Sequence, residues 1–111
     1  MAQLTEITDA SFDEVVLQSK IPVLVEFTSD GCGLCKLLAP ALADAAEDYA
    51  DEIRVVVLNL DGSPSVGQTY NIQSVPQLFL FRDGAPRERL IGNQTRGRIA
   101  ELIETHLEAS L

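Results

Sequence analysis

A chain of 111 residues, 46% of them hydrophobic, is the size of one compact domain and can bury its own core, so its two cysteines are not required as staples. No stretch approaches the ~20 apolar residues of a membrane span, and Met1-Ala2-Gln3-Leu4-Thr5-Glu6 lacks the basic and apolar regions of a signal peptide, so a cytoplasmic protein is expected. A formal net charge of −9, with no basic cluster to offset it, argues against nucleic acid and anionic lipid as partners; it serves solubility and suits partners with a positive rim.

Leu4 to Thr8 alternates and predicts a short edge strand. Ser11-Phe12-Asp13-Glu14 has the form of a capping box, with Ser11 as N-cap and Glu14 at the third helical position. Phe12, Val15 and Val16 then space a short helix ending near Ser19 or Lys20. Pro22 bars helix across it. Val23-Leu24-Val25-Glu26-Phe27 is apolar on both faces, the mark of a central strand covered on both sides, and Glu26 is the exception inside it. Thr28-Ser29-Asp30-Gly31 is turn chemistry. It leads into Gly31-Cys32-Gly33-Leu34-Cys35-Lys36, which places both cysteines where a strand hands over to a helix. That helix is predicted from Leu34 to Tyr49, with Leu34, Leu37, Leu38, Ala41, Leu42, Ala45 and Tyr49 on one apolar face and a kink at Pro40.

Ile53 to Leu60 reads as a second buried strand, and Asp61-Gly62-Ser63-Pro64 turns the chain. Ser65 to Tyr70 predicts a short helix, and Asn71 to Pro76 links it to a third core strand, Gln77 to Arg82. Asp83-Gly84 is a hairpin turn, followed by a return strand from Arg87 to Ile91, with Pro86 at its start suited to an edge and Gly92 at its end. Thr95 caps a last helix whose Ile99, Leu102, Ile103 and Leu107 face the core. The order β-α-β-α-β-α-β-β-α predicts an α/β fold with one mixed sheet. Helical crossovers give parallel pairs, the hairpin gives an antiparallel pair, and helices cover both faces. Without repeats or linkers, residues 1–111 are expected to form a single domain.

Cysteines at i and i+3 lie close enough for a small adjustment to close a disulfide. The first, at a helix N-terminus, faces unpaired N–H groups and the positive end of the helix dipole. Both favour its thiolate. The second lies deeper and is suited to attack a mixed disulfide formed by the first. A lone C-x-x-C is also compatible with half a zinc site, a structural disulfide or inert buried thiols. A monomeric zinc site would need further ligands, and the chain offers one histidine, His106, and no third cysteine. The buried strand before the pair, the helix after it and the glycines beside Cys32 argue against inert thiols.

With Val25-Glu26-Phe27, the C-x-x-C followed by Lys36, Pro40, Asn59-Leu60-Asp61, Tyr70-Asn71-Ile72, Val75-Pro76, Phe81-Arg82-Asp83-Gly84 and Gly92, nearly the whole chain resembles a thioredoxin. The resemblance implies the thioredoxin fold and reduction of protein disulfides without a cofactor. It makes Cys32 the nucleophile and Cys35 the resolving thiol. It makes Pro76 a cis-proline facing the cysteine pair, and Val75 the residue whose backbone pairs with bound substrate. Gly31, Gly33, Leu34 and Gly92 complete the expected contact surface. Glu26 falls where the family has a buried aspartate that moves the proton of the second cysteine. Burial should raise its pKa. A glutamate that reaches solvent is the other reading. A monomer is expected, with a thioredoxin reductase as the partner that the resemblance implies and whose recognition the chain's departures from the family put in question.

The chain departs from the family in four places. Gly31 replaces the usual Trp, Leu34 the usual Pro between the cysteines, and Gln77 the usual Thr after the cis-proline. Val57 takes the place of a lysine that commonly neighbours the buried acid. These changes leave the reaction in place and point to a shifted partner range or potential. A binding module that kept the fold and lost redox cycling is the alternative. A metal or cluster carrier sharing ligands across a dimer is a more distant third reading.

Overall fold

The structure, a computed structural model, describes residues 4–108. Five strands form one sheet in the order β1-β3-β2-β4-β5. They are β1 (Thr5–Ile7), β2 (Val23–Thr28), β3 (Arg54–Asn59), β4 (Gln77–Arg82) and β5 (Ala85–Ile91). The helices are α1 (Asp9–Phe12), α2 (Gly33–Asp48), α3 (Pro64–Thr69) and α4 (Arg96–Glu108). α1 runs on into a π-helical turn, Asp13–Leu17, closed by the Gln18 amide donating to the Asp13 carbonyl at 3.0 Å.

β2 is the axis of the sheet, and its residues from Val23 to Phe27 are all buried. Alternate side chains feed two cores. On one face Leu24, Leu78 and Leu80 meet Leu38, Leu42 and Ala45 of α2 and Ile99, Leu102 and Ile103 of α4. On the other, Val23, Val25, Phe27, Phe79 and Phe81 meet Phe12, Val16 and Val66. The mixed sheet covered on both faces is as expected from the sequence, and β1 and β5 are its edges. Pro86 sits on edge strand β5 opposite Phe81, beside a register irregularity at Leu80/Phe81, as suits a proline within a sheet.

Three expectations are corrected. Strands joined through helices were expected to run parallel, yet β4 is antiparallel to β2. The six residues of α3 rise only about 9 Å, whereas β3 is ~20 Å long, so α3 does not carry the chain back along the sheet and β4 starts from the end where β3 finishes. The first helix starts at Asp9 rather than after Ser11: Thr8 is its N-cap, and the Thr8 amide donates to Ser11 Oγ at 3.0 Å. Glu14 has no capping part because it lies in the π-helical turn. On α2, Leu37 is 69% and Leu34 49% exposed, so the apolar face is narrower than predicted. Cys35, Leu38, Leu42 and Ala45 alone are fully covered. At about 100° per residue Leu37 stands a quarter-turn or more round the helix from Leu38 and Leu42, off the buried side, and Leu34 lies in the first turn of α2 at the end of the sheet.

The early start of α1 has a tertiary cause. The Asp9 carboxylate accepts the amides of Ser65 at 2.9 Å and Val66 at 3.0 Å, and its own amide donates to Ser63 Oγ at 3.1 Å. Asp9 thus caps α3 from across the chain. Asp9→Ala is expected to cost ~1–2 kcal/mol, as loss of an N-cap does, and Asp9→Asn to keep part of it; urea midpoints at constant m-value measure this.

Candidate active site

The antiparallel direction of β4 assembles the site. Phe27 near the end of β2 pairs with Gln77 at the start of β4, and Gln77 pairs with Ile91 at the end of β5. The cysteine loop after β2, the Val75–Pro76 bond before β4 and Gly92 after β5 therefore share one end of the sheet. The Val75–Pro76 peptide is cis, as the resemblance implied. The Gly92 amide donates to the Pro76 carbonyl at 2.9 Å, and Gly92 takes φ +84°, a left-handed conformation that suits glycine.

Cys32 is the N-cap of α2 and is joined to Cys35 in a disulfide, with Cα atoms 5.3 Å apart. The Cys35 amide donates to Cys32 Sγ at 3.1 Å. Cys32 thus takes the acceptor role that a serine or aspartate has at other helix starts. A charge on this sulfur would be held by that N–H and by the dipole of a sixteen-residue helix. Cys32 is half-buried and Cys35 is 6% exposed. Gly33 and Leu34, on the first turn of α2, are both exposed.

Gly31 is not merely a freer loop residue. It has φ +76°, where a side chain strains the backbone by ~1–2 kcal/mol, although the space a Cβ would enter is open. The loop before it is built by a polar net that sequence reading passed over. The Asp30 amide donates to Asp61 Oδ2 at 2.6 Å, Asn59 Nδ2 to Asp30 Oδ1 at 2.9 Å, and the Asp61 amide to Asn59 Oδ1 at 2.9 Å. The sequence signal was available, since Asx side chains stand in both turns.

Beneath the loop lies a cavity of about 470 Å³ lined by Leu4, Glu26, Thr28, Ser29, Asp30, Gly31, Cys32, Cys35, Lys36, Ala39, Val57 and Asn59. It brings Glu26 and both cysteines to one space, and it is wide and polar enough for water. Glu26 is 3% exposed, so the solvent-reaching alternative does not hold. Its Oε2 is buried without a hydrogen-bond partner. Val57 is its register neighbour on β3 and offers no countercharge. Burial pushes the carboxyl up to about 7.

The sequence profile of the thioredoxin family matches residues 3–105. The chain belongs to the thioredoxin family. It is 38% identical over 107 residues to Thioredoxin 1 of Synechococcus elongatus, covering 96% of this chain and all of that protein. Against Thioredoxin of Synechocystis sp. it is 35% identical over 107 residues, again 96% of this chain and all of the relative. Against chloroplastic Thioredoxin M-type of Spinacia oleracea the identity is 36% over 105 residues, 95% of this chain and 58% of that protein. The α/β architecture is accordingly a thioredoxin fold, and the Cys32–Cys35 pair makes the protein a thiol–disulfide oxidoreductase, a protein-disulfide reductase of the thioredoxin type. Proteins of the family act on protein disulfides, typically with a thioredoxin reductase. Among the described residues no helix is long and apolar enough to cross a membrane.

Proposed function

We propose that this thioredoxin reduces protein disulfides through Cys32 as nucleophile and Cys35 as resolving thiol, with Glu26 handling the proton. The observation that carries the reading is the single cavity shared by both cysteines and the unpartnered carboxyl of Glu26. The Cys32 thiolate attacks a substrate disulfide, forming a Cys32–substrate bond and releasing one substrate thiolate. Cys35 gives its proton to Glu26, through a water in the cavity, and its thiolate attacks Cys32 Sγ. That step releases the second substrate sulfur as a thiolate and leaves the Cys32–Cys35 disulfide; the two substrate thiolates are protonated by water and by the proton held on Glu26. Two electrons have passed to the substrate, which leaves as a dithiol.

Val75 would receive the substrate. Its amide and carbonyl make no backbone hydrogen bond among the described residues, so an extended chain can pair there, with the cis-Pro76 and Gly92 as its floor. Leu34 and Ile91, 49% and 60% exposed, would flank it with Gly31 and Gly33. The whole chain acts as one domain and as a monomer, in the cytoplasm, where a close cysteine pair stays exchangeable. Its partners are protein disulfides and a thioredoxin reductase, not nucleic acid or membrane.

With a thioredoxin reductase and NADPH supplying electrons, insulin should be reduced catalytically. The exposed Leu34 and the missing bulk at Gly31 predict a KM for the reductase several-fold above that of a Trp-Cys-Gly-Pro-Cys thioredoxin. An equal KM would remove the altered partner range and leave the reaction standing. No reduction of insulin by the fully prereduced protein would remove the reaction itself.

A further inference from the structure

Gln77 is the first residue of β4, directly after the cis-proline, and none of the chemistry above uses it. It is 4% exposed. Its Nε2 donates to the Ser74 carbonyl at 3.0 Å and lies 3.3 Å from Ser74 Oγ. Since a carbonyl accepts only, the amide orientation is fixed by this contact, with nitrogen toward Ser74. The Oε1 on the other side is then buried and has no partner.

An apolar residue would fill this position without leaving a buried oxygen unsatisfied, so the amide is maintained at a cost to stability. What it gains is a hold on one peptide. The Ser74 carbonyl precedes Val75, and the Pro76 carbonyl follows the same residue. The first is bound by the Gln77 side chain and the second by the Gly92 amide. Val75 is thereby held between two anchored peptides, and its own amide and carbonyl make no backbone hydrogen bond among the described residues. Ser74 itself is exposed, and no strand or helix fixes its backbone otherwise.

We propose that Gln77 is a positioning residue which sets the substrate-pairing edge at Val75 by clamping the Ser74 peptide, and so governs affinity for extended protein disulfide substrates. It touches neither sulfur, and it acts through the loop. Pre-organising an edge lowers the ordering cost of binding. Its loss therefore weakens binding of substrate and transition state alike, which is read in KM more than in kcat. The inference rests on the docking of substrate at Val75 proposed above.

The test is Gln77→Met, which keeps the side-chain volume and removes both the donor and the orphan oxygen. Insulin reduction is followed under saturating reductase, and thermal unfolding is measured on the same variant. The expected result is a KM for insulin raised about fivefold, the size of one lost hydrogen bond, with kcat within about twofold and Tm unchanged or higher. A second variant, Val75→Pro, deletes the edge's amide donor and should raise KM at least as much. Unchanged KM in Gln77→Met beside a raised KM in Val75→Pro would overturn the clamp alone. Unchanged KM in both would overturn docking at Val75 and the clamp with it. A lower Tm with unchanged KM in Gln77→Met would reduce Gln77 to a structural residue.

Discussion

Cys35→Ser is expected to turn the reductase into a trap. Cys32 would still be the cap of α2, with a backbone N–H on its sulfur and the helix dipole behind it. It would attack insulin and stop at the mixed disulfide, because the intramolecular attack that releases substrate is gone. An external dithiol at millimolar concentration replaces a neighbour whose effective concentration is far higher, so turnover should fall well over ~10³-fold. Mass spectrometry should find one substrate chain per protein, released by dithiothreitol. Cys32→Ser should show neither turnover nor adduct, since Cys35 is only 6% exposed and lies one turn inside the helix. An adduct on Cys32→Ser equal to that on Cys35→Ser would reverse the assigned roles.

The parts of this site that depend on local chain chemistry were legible in the sequence. An acid inside an apolar run pointed to a buried carboxyl or one that reaches solvent, and Glu26 is buried. Two cysteines between a strand and a helix had to lie at a helix start, and Cys32 is the cap of α2. Thr95 was readable as the cap of the last helix, and its Oγ1 accepts the Arg98 amide at 3.1 Å. Whatever depended on distant residues was not legible. The direction of β4 turns on how far α3 carries the chain, and periodicity contains no direction. The true start of α1 is fixed by Asp9 serving amides of Ser65 and Val66 on another helix. A valid capping-box pattern at Ser11 could not compete with that. Leu37 is apolar in the sequence, but it lies on the flank of the stripe formed by Cys35, Leu38, Leu42 and Ala45, and only the fold shows that this flank is open. The departure at Gln77 was visible as a letter. Its contact with Ser74 needed the fold.

Glu26→Gln should change both the stability profile and the pH dependence of turnover, and the two readings test one carboxyl. The parent's Glu26 titrates near 4.5 unfolded and at about 7 folded. Between those values the folded state holds a proton that the unfolded state has released, so parent stability declines as pH rises through this window and levels off above it. The gap converts to about 3 kcal/mol at ~1.4 kcal/mol per pH unit. Glutamine has nearly the same shape and never ionises. The difference between variant and parent should therefore be small at pH 4.5, grow across the window, and favour the variant by ~2–3 kcal/mol at pH 8. Taking the difference cancels the other sixteen acids, whose slopes both proteins share. The stability that the parent gives up between pH 4.5 and about 7 is the cost of keeping a proton acceptor with a pKa near neutrality in the cavity it shares with Cys35, where acid–base exchange is most effective. Turnover should accordingly fall in the variant, and its resolving step should lose the inflection near pH 7. A variant that gains stability at pH 8 without losing turnover would mark Glu26 as a buried acid with no part in proton transfer. A variant whose stability difference is flat from pH 4.5 to 8 would mean that the carboxyl is not held in its neutral form at all.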